Sequence, residues 1–445
     1  MATTRLTRTL GTPTNRKKLT ASMWLKKSFN GTEKHFFGMG TSGGYLDFRF
    51  ANTGELELYH YNSGYQFRLT TTRKFRDTNA WYHLVFTIDT TLGTADDRFK
   101  VYVNGVQETV LTNRTNPSQD YEIGANASGN TISVGNYGTN TNNSFDGIIS
   151  HVHFSDGYAY DPTPFGETDS ATGEWKIKTS VTGVTYGNNG FWWLKDTIAT
   201  TDHSSNSNNF TVGGGTLTKT EDCPSNVFAT WNKLDWGTTY FTLTNGSTTA
   251  QSNASVFTYG VSTLGVNSGK FYWEVEYDAK NGGNRFPQIG ITSTQTTNTQ
   301  YELGHYANDW CWYINNTTST LRNNNSDTSW GNYYQEGDII GVALDCTNNK
   351  LYFSKNGTWQ ESGDPSAGNN GISITAPSST PLGFYFPAIC YYDSTHRGTF
   401  KANFGNGYFG TTAVSSAGTN ASGNGIFEYD VPTGFTALST KGLNL

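Results

Sequence analysis

The sequence predicts an all-β protein built as two β-sandwiches in tandem, and three observations lead there. Composition is the first: aromatic residues make up 15% of the 445-residue chain and charged residues another 15%, with 50 glycines and 3 methionines. β-Branched and aromatic side chains suit a pleated sheet, while glycine and asparagine suit the turns between short strands. Rhythm is the second: apolar residues recur with period two in runs of about four to eight, and no long window carries a 3.6-residue stripe. The third is a hairpin plan used twice. An apolar strand ending in Asp89 leads through a turn to an aromatic-alternating strand ending in Asn104-Gly105, and the plan returns with Asp345 and Asn356-Gly357. Two halves sharing that plan imply one architecture repeated. Length agrees, since domains hold about 50 to 250 residues.

Residues 1–18 carry Arg5, Arg8, Arg16, Lys17 and Lys18 with little apolar content, and Gly11, Thr12 and Pro13 oppose any regular element. They predict a short N-terminal arm that docks onto something else or stays mobile. From Leu19 the strands SMWLKKS, HFFGMG, YLDFRFA and ELELYHY follow one another across Gly and Asn turns. In YLDFRFA, alternation puts Leu46, Phe48 and Phe50 on one face and Asp47 and Arg49 on the other. WYHLVFTID and RFKVYVNGVQ make the first hairpin, and TISVGNY, SFDGIISHVHFSDGYAY and FWWLKD complete a first sandwich over 19–200. Residues 201–224, with their Ser/Asn run, read as a linker. A second sandwich spans 225–410, through KFYWEVEYDAK, RFPQIGITS, WCWYINN, DIIGVALDCTNNKLYFSKNGTW, PLGFYFPAIC and TFKANFG. Residues 411–445 form a tail in which Pro432 and Gly434 oppose a regular strand.

A formal net charge of −6 argues against nucleic acid as a partner, because binding phosphate needs a basic surface. No apolar run approaches the roughly 18 residues of a membrane span, and no apolar core follows the basic start as in a signal peptide. Cys223, Cys311, Cys346 and Cys390 lack metal-like spacing, so buried free thiols are expected in preference to disulfides.

The first half, residues 19–165, resembles the laminin-G-like, concanavalin A-like family. The residues that carry this are the strand around Trp24, WYHLVFTID with KVYVNG, and FDGIISHVHF after Phe145-Asp146-Gly147. The second half resembles the SPRY family through five ordered motifs: GKFYWEVEYD, PQIGITS, GDIIGVALDCTNNKLYFSKNGTW, PLGFYFPAIC and ANFG, the last from Ala402 to Gly405. Both families imply concanavalin A-like jelly-roll sandwiches. This domain order, the joint SSNSNNFTV and the ending DVPTGFTALSTKGL are similar to structural proteins of marine bacteriophages. That resemblance implies a virion protein (tail, fibre or capsid decoration) assembled in the host cytoplasm and binding host-surface glycan or protein. It further implies attachment to other virion proteins through the N-terminal arm, and a homo-oligomer, possibly a trimer. A missing leader fits a particle released by lysis. The alternatives are a purely structural connector that binds neighbouring subunits, and an extracellular carbohydrate-binding accessory module.

Concanavalin-like folds also host glucanases, which need two carboxyl groups about 5–9.5 Å apart. The candidate strand WEVEYD places Glu274, Glu276 and Asp278 on one face, opposite Phe271, Trp273, Val275 and Tyr277. Its Glu-x-Glu-x-Asp spacing departs from the glucanase pattern, so the acids are expected to face water and no catalytic residue is assigned. No Gly-x-Ser-x-Gly elbow occurs. His151 and His153 share a strand face without an evident third ligand, so a polar face is expected there and no metal site. Structural Ca²⁺ at Asp96-Asp97 lacks a supporting Asp-x-Asp-Gly loop, and no cofactor is expected. The candidate ligand residues are the aromatic and polar side chains of three segments in the second half. They are Asp309, Trp310, Trp312 and Tyr313; Trp330, Tyr333 and Tyr334; and Tyr391, Tyr392, Asp393 and Arg397. Aromatic faces stack on sugar rings while Asp and Arg bind hydroxyls. The competing reading is sheet core, in which Trp310 and Trp312 face the same way, both inward or both outward.

Overall fold

The computed structural model describes residues 4–178, 180–194, 200–235, 237–252, 257–280, 285–297, 301–391 and 397–444. Strands account for 45% of the chain and helix for 5%, the latter only as single 3-10 turns among the described residues. No helix among them is long and apolar enough to cross a membrane. The chain divides into two compact units, Met1–Lys219 and Thr220–Leu445.

In the first unit the larger sheet has eight strands. Their spatial order is Leu111–Thr115, Tyr65–Lys74, Glu55–Asn62, Gly44–Phe50, Lys34–Gly40, Thr131–Val134, Arg5–Thr9 and Thr211–Gly214. Facing it are six: Phe191–Trp193, Gly147–Asp156, Lys18–Lys27, Trp81–Asp89, Phe99–Val103 and Val106–Gln107. The two inner faces interlock, with Phe48 of one sheet and Phe86 of the other at a ring distance of 4.4 Å. Leu46, Phe48 and Phe50 all lie in this core, as their alternation predicts.

Within the expected arm 1–18, the described residues 4–18 are not detached from the sandwich. Arg5–Thr9 pairs with Thr131–Val134 on one side and with Thr211–Gly214 on the other, and Leu6 and Leu10 enter the core. Two well-placed leucines suffice, because a strand's remaining hydrogen bonds are satisfied by its neighbours. Nor is 201–224 a plain linker. Phe210 packs on Trp193 at 4.1 Å, and the Asp202 carboxylate accepts the backbone N–H groups of Trp192, Ser204 and Asn208.

The repeated hairpin is the same object twice. Asn104 and Gly105 have φ of 48° and 79°; Asn356 and Gly357 have 47° and 79°. Each asparagine side chain accepts a backbone N–H from the neighbouring strand of the hairpin, that of His83 or Ile339, at 2.8 Å. Positive φ at both central residues matches the twist of the flanking strands.

The second unit stacks a nine-stranded sheet, centred on Lys270–Lys280 and Ile339–Asp345, on a six-stranded one. That smaller sheet runs Tyr259–Val261, Phe386–Tyr391, Pro287–Thr292, Asp309–Asn315, Thr318–Asn323 and Ser326–Ser329. Within the expected tail 411–445, the described residues 411–444 contribute to the unit's core. Phe427, Val431, Phe435 and Leu438 are buried in it, and Thr436–Ala437 pairs in parallel with Phe271 and Tyr272. Because this segment covers the outer face of Lys270–Lys280, Glu274 does not face water as expected: its exposure is 0%. All four cysteines are free, with Cys311, Cys346 and Cys390 buried.

Candidate functional site

On the outer face of the eight-stranded sheet, strand register aligns side chains in three rows. One row is Tyr65, Tyr61, Tyr45 and Gly40; the next is Arg68, Tyr59, Asp47 and Gly38; the third is Thr70, Glu57, Arg49 and His35. Tyr137 lies against Gly38, where a Cβ would stand 2.5 Å from Tyr137 Cβ. The missing side chain at Gly38 leaves room for Tyr137.

An ion network braces the rows from below. Glu57 lies between two guanidinium groups, with Arg49 Nε donating to Oε2 at 2.8 Å and Arg68 Nε to Oε1 at 2.7 Å. Arg49 also reaches Glu33 at 3.0 Å. His35 donates from Nδ1 to Asp47 at 2.9 Å and from Nε2 to Glu33 at 3.3 Å. Burial opposes a charge on His35, yet these bonds carry its pKa up to about 9. The imidazole is therefore a cation at neutral pH. Glu33, Asp47 and Glu57 then balance His35, Arg49 and Arg68, and the network carries no net charge. Asp47 is 0% exposed, so each charge depends on its partners.

Above the network stand the phenol rings. Tyr45 stacks on Tyr61 at 5.6 Å and on Tyr137 at 4.7 Å, with interplanar angles of 28° and 29°. Tyr65, 47% exposed, meets Tyr61 and Tyr59 edge-on at 5.7 and 5.2 Å. Arg49 lies over Tyr59 and Arg68 over Tyr65, both at 4.9 Å. Burial first, and Asp47 second, push the Tyr59 hydroxyl far above its ordinary range, so it stays neutral. The face is an array of phenols and of guanidinium groups paired to Glu57, which presents hydrogen-bonding groups.

The opposite sheet closes its outer face with a buried histidine. His83 lies between Trp24 and Trp175, at 4.7 and 5.9 Å, both stacked. Trp175 Nε1–H donates to His83 Nδ1 at 2.9 Å, so Nε2 carries the proton and donates to Ser22 Oγ at 2.9 Å. Burial lowers the His83 pKa to about 3. His151 and His153 do not form an exposed polar face: both are buried, and the register shifts between Ser150 and His153, with His151 at φ 46°. His153 packs between Trp192 and Phe165 and bonds Tyr186 at 2.9 Å. Asp96 and Asp97 hold Arg114 and Lys100, at 3.0 and 2.8 Å.

Residues 4–160 match the concanavalin A-like lectin/glucanases superfamily in its laminin-G form, and residues 270–407 match the SPRY domain. The chain carries a concanavalin A-like domain followed by a SPRY domain. No curated protein matches it. Among solved structures, the SPRY domain of human HERC1 is 18% identical, covering 36% of this chain and 91% of that one at a TM-score of 0.29. Another human SPRY domain is 15% identical, with 37% and 94% covered and a TM-score of 0.27. A native heptameric SAP-like pentraxin from Limulus polyphemus is 18% identical, with 35% and 71% covered and a TM-score of 0.27.

Within the SPRY domain the expected ligand residues are largely core. Trp310 and Trp312 face the same way, inward: Trp312 is buried against Tyr334 at 4.9 Å, and Trp310 packs half-buried on the same cluster. Tyr313 points to the other face yet is also buried, with Cys311 and Leu303 in a small second cluster. Asp309 is buried and accepts Thr292 Oγ1–H at 2.6 Å, and burial raises its pKa to about 7. Trp330 meets Trp312 edge-on at 5.3 Å, and Tyr333 is half-buried under Arg285 at 5.8 Å. The Tyr334 hydroxyl lies 3.0 Å from the Pro287 carbonyl, and Tyr391 stacks on Tyr277 at 6.1 Å. Arg397 is exposed, while Tyr392 and Asp393 lie outside the described residues. The reason for the burial is that both faces of the Asp309–Asn315 strand are covered, so alternation finds no wet side. The tyrosine face of the other domain was missed. Its signals were Tyr45, Tyr59 and Tyr61 on the polar phase of their strands and two glycines spaced by one residue in HFFGMG, whereas Tyr65 shares the phase of Phe67 and Leu69 and is turned outward only by the register shift.

Proposed function

We propose that the protein is a glycan-binding appendage of a bacteriophage particle, as fibre, tail component or capsid decoration, and that its concanavalin A-like domain makes the host contact. Domains of these two types point to a carbohydrate- or protein-binding role. The observation that carries the reading is the row Tyr65, Tyr61, Tyr45 and Tyr137 held over a buried, charge-balanced network. Burying His35, Asp47 and Glu57 beneath half-exposed Glu33, Arg49 and Arg68 is costly beside an apolar surface, so ordering these rings is a use that repays the network. Catalysis is not part of the proposal. Asp47 holds His35 and Glu57 holds two arginines, so neither is poised as a general acid on a glycosidic bond.

Domain order and the similarity of the joint and ending to marine bacteriophage structural proteins support the virion reading. Attachment to the particle then falls to a surface other than Arg5–Thr9, whose backbone is used within its sheet. A homo-oligomer, such as a trimer, would multiply weak sugar contacts through effective concentration. The test is a glycan array probed with the full chain and with Tyr61→Ala and Tyr65→Ala. Loss of about tenfold in affinity with an unchanged circular dichroism spectrum is expected. Binding untouched by both substitutions would remove the site, and binding to no glycan would favour the structural connector.

A further inference from the structure

Resting on that reading, we infer that the ligand is an extended, uncharged polysaccharide lying across the strands and gripped by phenol hydroxyls, and not a terminal sugar stacked on a ring face. Ring orientation is the first argument. Side chains stand roughly perpendicular to a sheet, so neighbours across strands press face to face. Tyr61, Tyr45 and Tyr137 do so, at 5.6 and 4.7 Å with angles below 30°, so both faces of Tyr45 and one face each of Tyr61 and Tyr137 are occupied, while Tyr65 and His35 meet the outer two rings edge-on. What remains for a ligand is a comb of ring edges and hydroxyl groups.

Spacing is the second argument. The comb crosses the strands in the order Tyr65, Tyr61, Tyr45, then Tyr137 against Gly38, advancing about one strand separation, roughly 4.8 Å, per tooth. A linear glycan presents hydroxyl groups at a comparable regular interval, whereas one terminal sugar meets a single tooth. Register fixes the teeth: Tyr45 pairs with Tyr61 and Tyr61 with Tyr65, the latter through a shift between His60 and Tyr61.

Charge is the third. Arg49 and Arg68 are committed to Glu57, and His35 to Asp47 and Glu33. Three cations facing three carboxylates leave no free charge to recognise a uronate, sulfate or sialate. The ligand that matches a neutral comb is a neutral polymer.

The experiment measures retention of the full chain on linear glucose, mannose and galactose oligomers, each from monosaccharide to tetrasaccharide, with oligouronates alongside. We expect at least one neutral series to bind more tightly with each added unit, and the uronates to bind more weakly. Tyr61→Phe, which keeps the stack and removes the hydroxyl, should weaken the tetrasaccharide about fivefold. A monosaccharide bound as well as its tetramer, a preference for uronates, or full affinity in Tyr61→Phe overturns this inference and leaves glycan binding standing. Retention on no sugar at all sinks both.

Discussion

Glu274 Oε1 accepts the backbone N–H of Tyr429 at 2.9 Å, and this bond fastens the last thirty-odd residues to the central strand of the SPRY domain. The carboxylate gathers three more donors: the N–H of Glu428 at 2.9 Å, the Tyr272 hydroxyl at 3.0 Å and Asn403 Nδ2 at 3.1 Å. One side chain thereby adds four hydrogen bonds to the apolar contacts of Phe427, Val431, Phe435 and Leu438 that also hold this segment.

Replacing that side chain should therefore loosen the whole closing segment. Glu274→Ala takes away an acceptor shared by four donors, of which Asn403 keeps the Ile426 carbonyl, and should cost about 3 kcal/mol of the domain's stability. Urea denaturation followed by tryptophan fluorescence reads the loss. Glu274→Gln, which keeps an acceptor oxygen, should lose less.

The same group sets a pH dependence. Burial raises Glu274 to about 7 against its donors, and burial raises Asp309 to about 7 as well. An acid whose folded pKa lies above its unfolded value binds its proton more tightly when folded. Stability of this domain should then fall as pH rises from the ordinary carboxylate range through 7. Thermal melts at pH 5 and pH 8 check the direction, and the slope should flatten in Glu274→Gln.

In the other domain His35 behaves oppositely to its buried companions. Its pKa of about 9 means that its contribution is complete below the unfolded value near 6.5 and disappears as pH rises through 9. The stability difference between the native chain and His35→Gln should shrink over that window. His83, lowered to about 3, contributes in the reverse sense: stability is lost as pH falls from 6.5 toward 3. A ¹⁵N-resolved spectrum of His83 should show the Nε2–H tautomer, because Trp175 occupies Nδ1. An Nδ1–H signal would contradict the geometry.

The two Asn-Gly turns offer a paired test. A Cβ at Gly105 would stand 2.4 Å from the Trp175 ring, and one at Gly357 2.6 Å from the Tyr429 ring, both at φ 79°. Gly105→Ala and Gly357→Ala should each destabilise their own domain by about 2 kcal/mol, through left-handed strain added to the clash. Calorimetry of the full chain should show one transition shifted by each substitution.

How much of this was legible depended on range along the chain. Leu46, Phe48 and Phe50 announce their core face by alternation alone, and Asn104-Gly105 announces its turn, because strand and hairpin are local objects. Glu274 looked solvated because its cover arrives from Glu428 and Tyr429, over 150 residues later. Trp312 and Tyr391 looked like ligand residues because exposed and buried aromatics share one composition, and only the second sheet tells them apart. Tyr137 could not be assigned to the Tyr45 row without knowing that Lys34–Gly40 lies between them and carries glycines there.

Arg5–Thr9 has both its neighbours far away in sequence, at Thr131–Val134 and Thr211–Gly214. A ribosome must therefore deliver more than two hundred residues before this stretch can find its last partner, and until then it waits with unpaired backbone. Closing such a long loop is entropically slow, so the opening half of the protein is expected to mature late, close to the time when the rest of the chain is already emerging.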